Sequence, residues 1–202
     1  GIFLVILVIG AAVVTKVNLV GFMKVIKEPM VLAFTTSASE AALPIAMEKL
    51  ERIGIPKHIV SFVLPLGYTF NLDGSTLYSA VAVIFLGQVY GVPLPLGLQI
   101  VILLTLMIST KGIAGVPGAA LIILAGTATA FGIPVEGVAM LLGIDRVLDM
   151  ARTMCNVTGN CIAGLVVARW EHEISAEDLN SYIEKPMSDE EFAALTADDK
   201  KA

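Results

Sequence analysis

The sequence predicts an all-α membrane protein made of two inverted hairpin-plus-helix repeats, in the order re-entrant hairpin, broken span, re-entrant hairpin, span. Three observations predict it. Mean hydropathy is +0.86, with 56% hydrophobic and only 15% charged residues, far from the usage of ordinary soluble domains. Polar or Gly/Pro-rich interruptions fall in the middle of apolar stretches, where backbone facing lipid could not keep its hydrogen bonds. Lysines and arginines crowd some connections and are missing from others, which fixes sidedness.

Each element follows in order. Gly1–Val14 is apolar but shorter than the ~20 residues of a full span. It reads as the end of a spanning helix cut within its length, with preceding spans absent and Lys16 marking its exit. Asn18–Glu28 is an interfacial stretch carrying Lys24 and Lys27. Met30–Met47 is apolar at both ends and polar in its centre, and Glu48–His58 is a loop with Lys49, Arg52 and Lys57. Ile59–Phe70 stops at Asn71–Ser75, and Thr76–Tyr90 resumes the span. Gly91–Gly97 is an uncharged turn. Leu98–Ser109 and Ala119–Phe131 are two apolar halves around a glycine-rich centre. Gly132–Gly137 holds only Glu136 as a charge, and Val138–Ala168 is the final long helix, ended by an interfacial anchor of Arg169, Trp170 and His172.

Basic residues flank Met30–Met47 on both sides. A crossing segment would put those flanks on opposite faces, against the positive-inside tendency, whereas a hairpin returns the chain to the face it left. The halves Leu98–Ser109 and Ala119–Phe131 are each about half a span, so they too form a hairpin, entering from the other face. Inverted hairpin-plus-helix units of this kind are a transporter signature.

The richest stretch is Gly143–Asn160. At about 100° per residue, Asp145, Asp149, Arg152, Asn156 and Asn160 fall within an arc of roughly 80°. Val147, Met150, Ala151, Met154 and Val157 cover the opposite side. Ionisable groups inside an apolar segment face a protein interior or a water-filled site, so the stripe predicts the wall of a polar binding site at membrane depth. A soluble amphipathic helix would show the same stripe, but without apolar flanks.

Charge is unevenly placed. From Glu171 onward there are ten acids against three bases, and before it eight acids against ten bases. No basic patch suggests nucleic acid. Cys155 and Cys161 face different directions on one helix and read as small core residues, and the isolated His58 and His172 predict no metal centre. The tail reads as a solvated extension with a short helix near Asp189–Leu195.

Three motifs carry a family resemblance: NLDGS at Asn71–Ser75, GIAGVPG at Gly112–Gly118 and DMARTMCNVTGN at Asp149–Asn160. Over about Gly1–Glu171 the chain resembles the dicarboxylate/amino acid:cation symporters, specifically their bacterial proton/sodium-glutamate branch, and looks like the C-terminal half of such a transporter. Inverted repeats are themselves known from an archaeal member of this family. The resemblance implies a division into 1–15, the end of a truncated transmembrane helix; 16–170, a transport core with two re-entrant hairpins; and 171–202, an acidic cytoplasmic tail. It implies a multi-pass protein of the bacterial plasma membrane, homotrimeric in its full-length parent, with lipid as a partner. It implies symport of glutamate or aspartate by elevator-type alternating access, coupled to protons, sodium or both, without a cofactor.

By the same resemblance, Arg152 grips the side-chain carboxylate of the substrate with its planar fork of donors. Asp149 and Thr153 hold its amine, Asn156 its main-chain carboxylate, and Ser39, Ser75, Val116 and Gly118 complete the substrate site. The carbonyls of Gly67, Asn71 and Asn156 belong to one sodium site, Thr69 to another, and Asp73 with the Asn71 side chain to a third, with Asn160 a further cation-site residue, all offering hard oxygen. The tip Lys111–Gly118 forms the extracellular gate, its glycines letting backbone approach a ligand closely. Bland alternatives stay open: Asp149 and Arg152 pairing with each other, or NLDGS as a mere packing kink.

Two departures matter. Asn160 stands where strictly sodium-coupled relatives have an aspartate, and SASEA at 37–41 replaces a serine-rich tip with alanine and Glu40. Proton-using glutamate carriers look similar at both positions, so Glu40, desolvated at the tip, is the candidate proton carrier. The alternative is Glu40 simply bonded to tip amides. The rival substrate is a C4-dicarboxylate such as succinate, against which Asp149 argues, since a carboxylate beside a substrate without an amine is repulsive. An inactive truncated fragment is the remaining alternative. An intramembrane enzyme lacks a nucleophile–base pair at helical spacing.

Overall fold

The computed structural model describes residues 1–111 and 118–198, and every regular element among them is helical. The order is α1 (Ile2–Thr15), α2 (Leu19–Val25), α3 (Lys27–Thr36), α4 (Ser39–Arg52), α5 (Lys57–Phe70), α6 (Asp73–Val89), α7 (Leu96–Ser109), α8 (Ala119–Ala130), α9 (Glu136–Trp170), α10 (Ala176–Glu184) and α11 (Asp189–Asp198).

The helix α9, 35 residues and thus about 52 Å long, is the axle of the molecule. Its C-terminal half contributes Val157, Cys161, Ile162, Leu165 and Ala168 to a core shared with α1 to α5 and α10. Its N-terminal half gives Val138 and Leu141 to a second core with α6, α7 and α8. The polar stripe lies in the interval between the two apolar cores. Level with it, α5 and α6 interrupt one another. Together, Lys57–Val89 is long and apolar enough to cross a membrane, and α1 with α2 passes the same test as a pair bent by 116°.

Local chemistry explains the joints. Ser37 closes α3 in the left-handed region (φ 54), and its N–H bonds the Ala33 carbonyl at 2.9 Å. Pro56 precedes α5, where its fixed φ favours a helix start. At the α5–α6 interruption Asn71 donates its N–H to the Gly67 carbonyl at 2.7 Å, and Asn71 and Leu72 leave helical geometry before Asp73 begins α6.

Several boundaries differ from the sequence reading. The first helix pair is longer than Met30–Met47, and the loop expected at Glu48–His58 shrinks, because α4 continues to Arg52. An Arg52–Glu48 pair one turn apart (2.8 Å) and a Lys49–Glu28 pair (2.8 Å) hold that last turn. Glu171 onward is not simply a solvated extension. Leu179 and Ile183 of α10 are buried in the α9 C-terminal core, and the Asn18 N–H donates to the Asn180 side chain at 2.7 Å. Arg52 donates to the Met187 carbonyl (3.1 Å) and Asp189 (2.7 Å) and lies over the Phe192 ring. The short tail helix near Asp189–Leu195 is present as α11. The cysteines are unpaired, with Cys161 buried and Cys155 half-buried. Trp170, the last residue of α9, is 77% exposed.

Candidate functional site

The polar stripe of α9 points inward. Asp145, Asp149, Arg152, Asn156 and Asn160 are all buried, while Val147 on the far side is 65% exposed. Ala151 is also exposed, and Met150 and Met154 are intermediate; Val157 alone of that side is buried. A helix that buries Asp145, Asp149 and Arg152 while exposing Met140, Leu142, Ile144 and Val147 inverts the ordinary soluble arrangement. The same inversion holds across the molecule, where Phe62, Leu96, Ile108 and Ile122 stand out at the surface.

Arg152 is the centre of the stripe. Its Nη1 donates to Asp145 Oδ1 at 2.8 Å, its Nη2 meets Asp149 Oδ1 at 2.8 Å, and its guanidinium lies 4.4 Å from the Tyr78 ring centroid. Tyr78 in turn donates its hydroxyl to Asp145 at 3.1 Å. A buried cation here is balanced by two carboxylates and an aromatic face, and removing any one partner would leave a buried charge short of compensation. The sequence placed Asp145 on the stripe but gave it no role, and it missed Tyr78, which arrives from α6. The pairing of Asp149 with Arg152, one of the open alternatives, is present. Asp149 also accepts the Gly118 N–H at 3.0 Å, which brings the start of α8 to the stripe.

Asn156 fastens α9 to α6. Its Oδ1 accepts the Gly74 N–H at 2.8 Å and the Ser75 N–H at 3.4 Å, and its Nδ2 donates to Ser75 Oγ at 3.0 Å. These bonds satisfy N–H groups of the first turn of α6, which have no partner within the helix. The contact requires glycine at 74, since a Cβ there would sit 2.5 Å from the Arg152 carbonyl oxygen. Thr153 is buried on the same face.

The α5–α6 interruption brings Gly67, Asn71, Asp73 and Asn160 together. A Cβ at Gly67 would come within 2.6 Å of the Asn160 amide. The Asn71 amide lies between Asp73 and Asn160. With its nitrogen toward Asp73 it donates to both carboxylate oxygens (2.8 and 3.0 Å), and its oxygen accepts from the Asn160 amide at 3.0 Å when that amide turns its nitrogen toward Asn71. Thr69, half-exposed, lies one residue before the end of α5. Carbonyl, carboxylate and amide oxygens are the donor set a hard monovalent cation takes, so the residues present fit sodium. Among the described residues no group of three or more His, Cys, Asp or Glu could hold a metal ion.

Ser39 is buried and shares a small cleft with Tyr68, Val157 and Asn160. Glu40 is exposed, so the expected desolvation at the tip is not seen. Its carboxylate is instead engaged by Tyr68, whose hydroxyl donates to Glu40 Oε1 at 2.6 Å. Glu40 sits at the outer start of α4, where the side chain turns away from the core that buries Ser39. Val116 and most of Gly112–Gly118 lie outside the described residues, Gly118 excepted.

The sequence model of the sodium:dicarboxylate symporter family matches residues 1–170. A proton/sodium-glutamate symport protein of Geobacillus stearothermophilus is 49% identical over 174 residues, covering 86% of this chain and 41% of that protein. A proton/glutamate-aspartate symporter of Escherichia coli (strain K12) is 49% identical over 159 residues, 79% of this chain and 36% of that protein. A C4-dicarboxylate transport protein of Cupriavidus pinatubonensis is 44% identical over 188 residues, 92% of this chain and 44% of that protein. The chain spans about two fifths of the length of these relatives. A family match over residues 1–170, relatives at 44–49% identity and an inward polar stripe lead to one conclusion: the chain belongs to the sodium:dicarboxylate symporter family.

Proposed function

We propose that this chain is the substrate- and cation-binding part of a secondary transporter that carries glutamate or aspartate inward with protons, sodium or both. The observation that carries the proposal is Arg152, 4% exposed and held between Asp145 and Asp149 inside a helix whose outer face is apolar. A guanidinium so placed is pre-oriented to take a substrate carboxylate in exchange for one of its own, and Asp149 is then free for the substrate amine. Thr153, Asn156, Ser39, Ser75, Val116 and Gly118 are the proposed remaining contacts. Cations take the oxygens of Gly67, Thr69, Asn71, Asp73, Asn156 and Asn160, and Glu40, through its bond with Tyr68, is the proposed proton carrier.

The finer architecture belongs to the same proposal. The pairs α3–α4 and α7–α8 act as re-entrant hairpins of opposite entry, α5–α6 is the broken span and α9 the continuous one. In its favour, α7 and α8 have only 14 and 12 residues, too short to cross, and they pack together on α6. The division at 15 and 170, elevator-type movement, a bacterial plasma-membrane location and a homotrimeric full-length protein complete the reading.

The test is uptake of labelled glutamate by the full-length protein in vesicles, with sodium and proton gradients imposed separately. Uptake driven by neither gradient would end the proposal. A C4-dicarboxylate is the alternative cargo, kept open because Asp149 is already committed to Arg152 and the Cupriavidus relative is a C4-dicarboxylate transport protein. Succinate competing as well as aspartate would favour it. The residue Glu40 has its own check: Glu40→Gln should keep substrate binding but lose proton-driven uptake, and undiminished uptake under a proton gradient alone would remove it as carrier.

A further inference from the structure

Between His58 and Arg146 the sequence holds one basic residue, Lys111, at the edge of the gate tip and not among the proposed substrate or cation contacts. It stands in the turn that ends α7, with an exposed side chain. Its ammonium donates to the carbonyl of Phe70, the last residue of α5. That carbonyl belongs to the C-terminal end of a helix, where unpaired C=O groups gather partial negative charge, and Asp73 adds a carboxylate three residues on. Such a place attracts a cation. A lysine ammonium is a compact point charge of the same sign and magnitude as a sodium ion.

The ammonium does not reach the break by chance of a free side chain alone. The preceding residue, Thr110, is buried and shares a hydroxyl contact of 2.9 Å with Thr76 of α6, while its own hydroxyl donates to the Leu106 carbonyl at 2.7 Å. The end of α7 is therefore seated on the first turns of α6 just where Lys111 departs.

We propose that Lys111 is a tethered cation: its ammonium at the Phe70 carbonyl supplies, from the chain itself, positive charge that the α5–α6 break would otherwise take from a bound sodium ion. The inference rests on the reading of that break as a cation site. It deepens the reading by naming which residue decides how much sodium the break requires. With the lysine in place the break is neutralised at the α7 end, and the demand for sodium there falls. Without it, the same oxygens face one another uncompensated until an ion arrives.

The test uses the full-length protein purified in detergent, without substrate, as wild type, Lys111→Met, Lys111→Gln and Lys111→Arg. Thermal unfolding midpoints are compared in sodium chloride and in choline chloride at equal ionic strength. The expected result is that Lys111→Met and Lys111→Gln are less stable than wild type in choline and regain the difference in sodium, with sodium affinity raised about tenfold. Lys111→Arg keeps the wild-type response. An identical sodium-dependent shift in wild type and the neutral variants overturns the proposal. So does a neutral variant that fails to fold in both salts, because sodium then cannot stand in for the ammonium. Uptake in vesicles is measured in parallel. Wild type that transports nothing would refute the transport reading while leaving the unfolding comparison to decide Lys111.

Discussion

Arg152 shows how much depends on the shape of one side chain. It makes two 2.8 Å contacts with separate carboxylates, and only a planar fork of donors reaches both at once. Lysine keeps the charge and loses the second contact. Arg152→Lys should therefore cost about 2 kcal/mol of carboxylate binding, roughly a thirtyfold rise in Km for glutamate measured by vesicle uptake. A rise of less than twofold would show that the guanidinium does not touch the cargo. The stripe itself was legible in the sequence, because five polar residues at helical spacing between apolar flanks leave little choice of direction. Its partner Tyr78 was not, since an aromatic on another helix carries no mark of which charge it will face. The exposure of Glu40 was hidden for a similar reason: sequence placed it at the tip, but which side of the first turn of α4 faces the core depends on packing.

At the scale of elements, the seam between α6 and α9 has almost no slack. Gly74→Ala would put a methyl group 2.5 Å from the Arg152 carbonyl oxygen, a backbone atom that cannot swing aside. Overpacking of this kind costs about 1–3 kcal/mol, and a lowered unfolding midpoint in detergent should report it. Gly164→Ala is the control, because its new carbon would meet the flexible end of Leu50 at 3.1 Å. The tail helix α11 has a different dependence. Ser188 and Glu191 form a capping box, in which Glu191 Oε2 accepts the Ser188 N–H and hydroxyl at 2.8 Å each and the Glu191 N–H returns to Ser188 Oγ at 3.3 Å. Those bonds, the backbone one first, lower the Glu191 pKa below its usual 4.5. A carboxyl depressed on folding stabilises the helix above its unfolded pKa, and the benefit is lost as pH falls through the lower folded value. The amide signals of α11 should thus hold their helical shifts at pH 6 and lose them below about pH 4, and a Glu191→Gln variant should show no such transition. The S-x-x-E spelling at 188–191 is the local reason the helix starts here.

For the whole molecule, the main fact is that one long helix joins two apolar cores and leaves its charged middle between them. The all-helical architecture and the interruption near Asn71–Ser75 were foreseeable from hydropathy. The docking of the tail was not. Ten acids against three bases read as a solvated segment, and only the folded chain reveals that Leu179 and Ile183 leave that acidic surface to join the core. Leu179 is fully buried, so Leu179→Ala should lower global stability by about 2–5 kcal/mol, measurable by denaturant unfolding of the purified protein. Stability unchanged within error would mean that the tail is a passenger. The tail, beyond the family match at residue 170, grips Arg52 at the end of α4, so the family-specific body and its appendage are mechanically joined. Trp170 stands at that junction, largely uncovered, and it is the sole indole of the sequence. Excited at the red edge, where tyrosine does not absorb, ultraviolet emission from this chain therefore comes from a single spot. Its colour tracks how wet the seam between body and appendage is, with no dye attached.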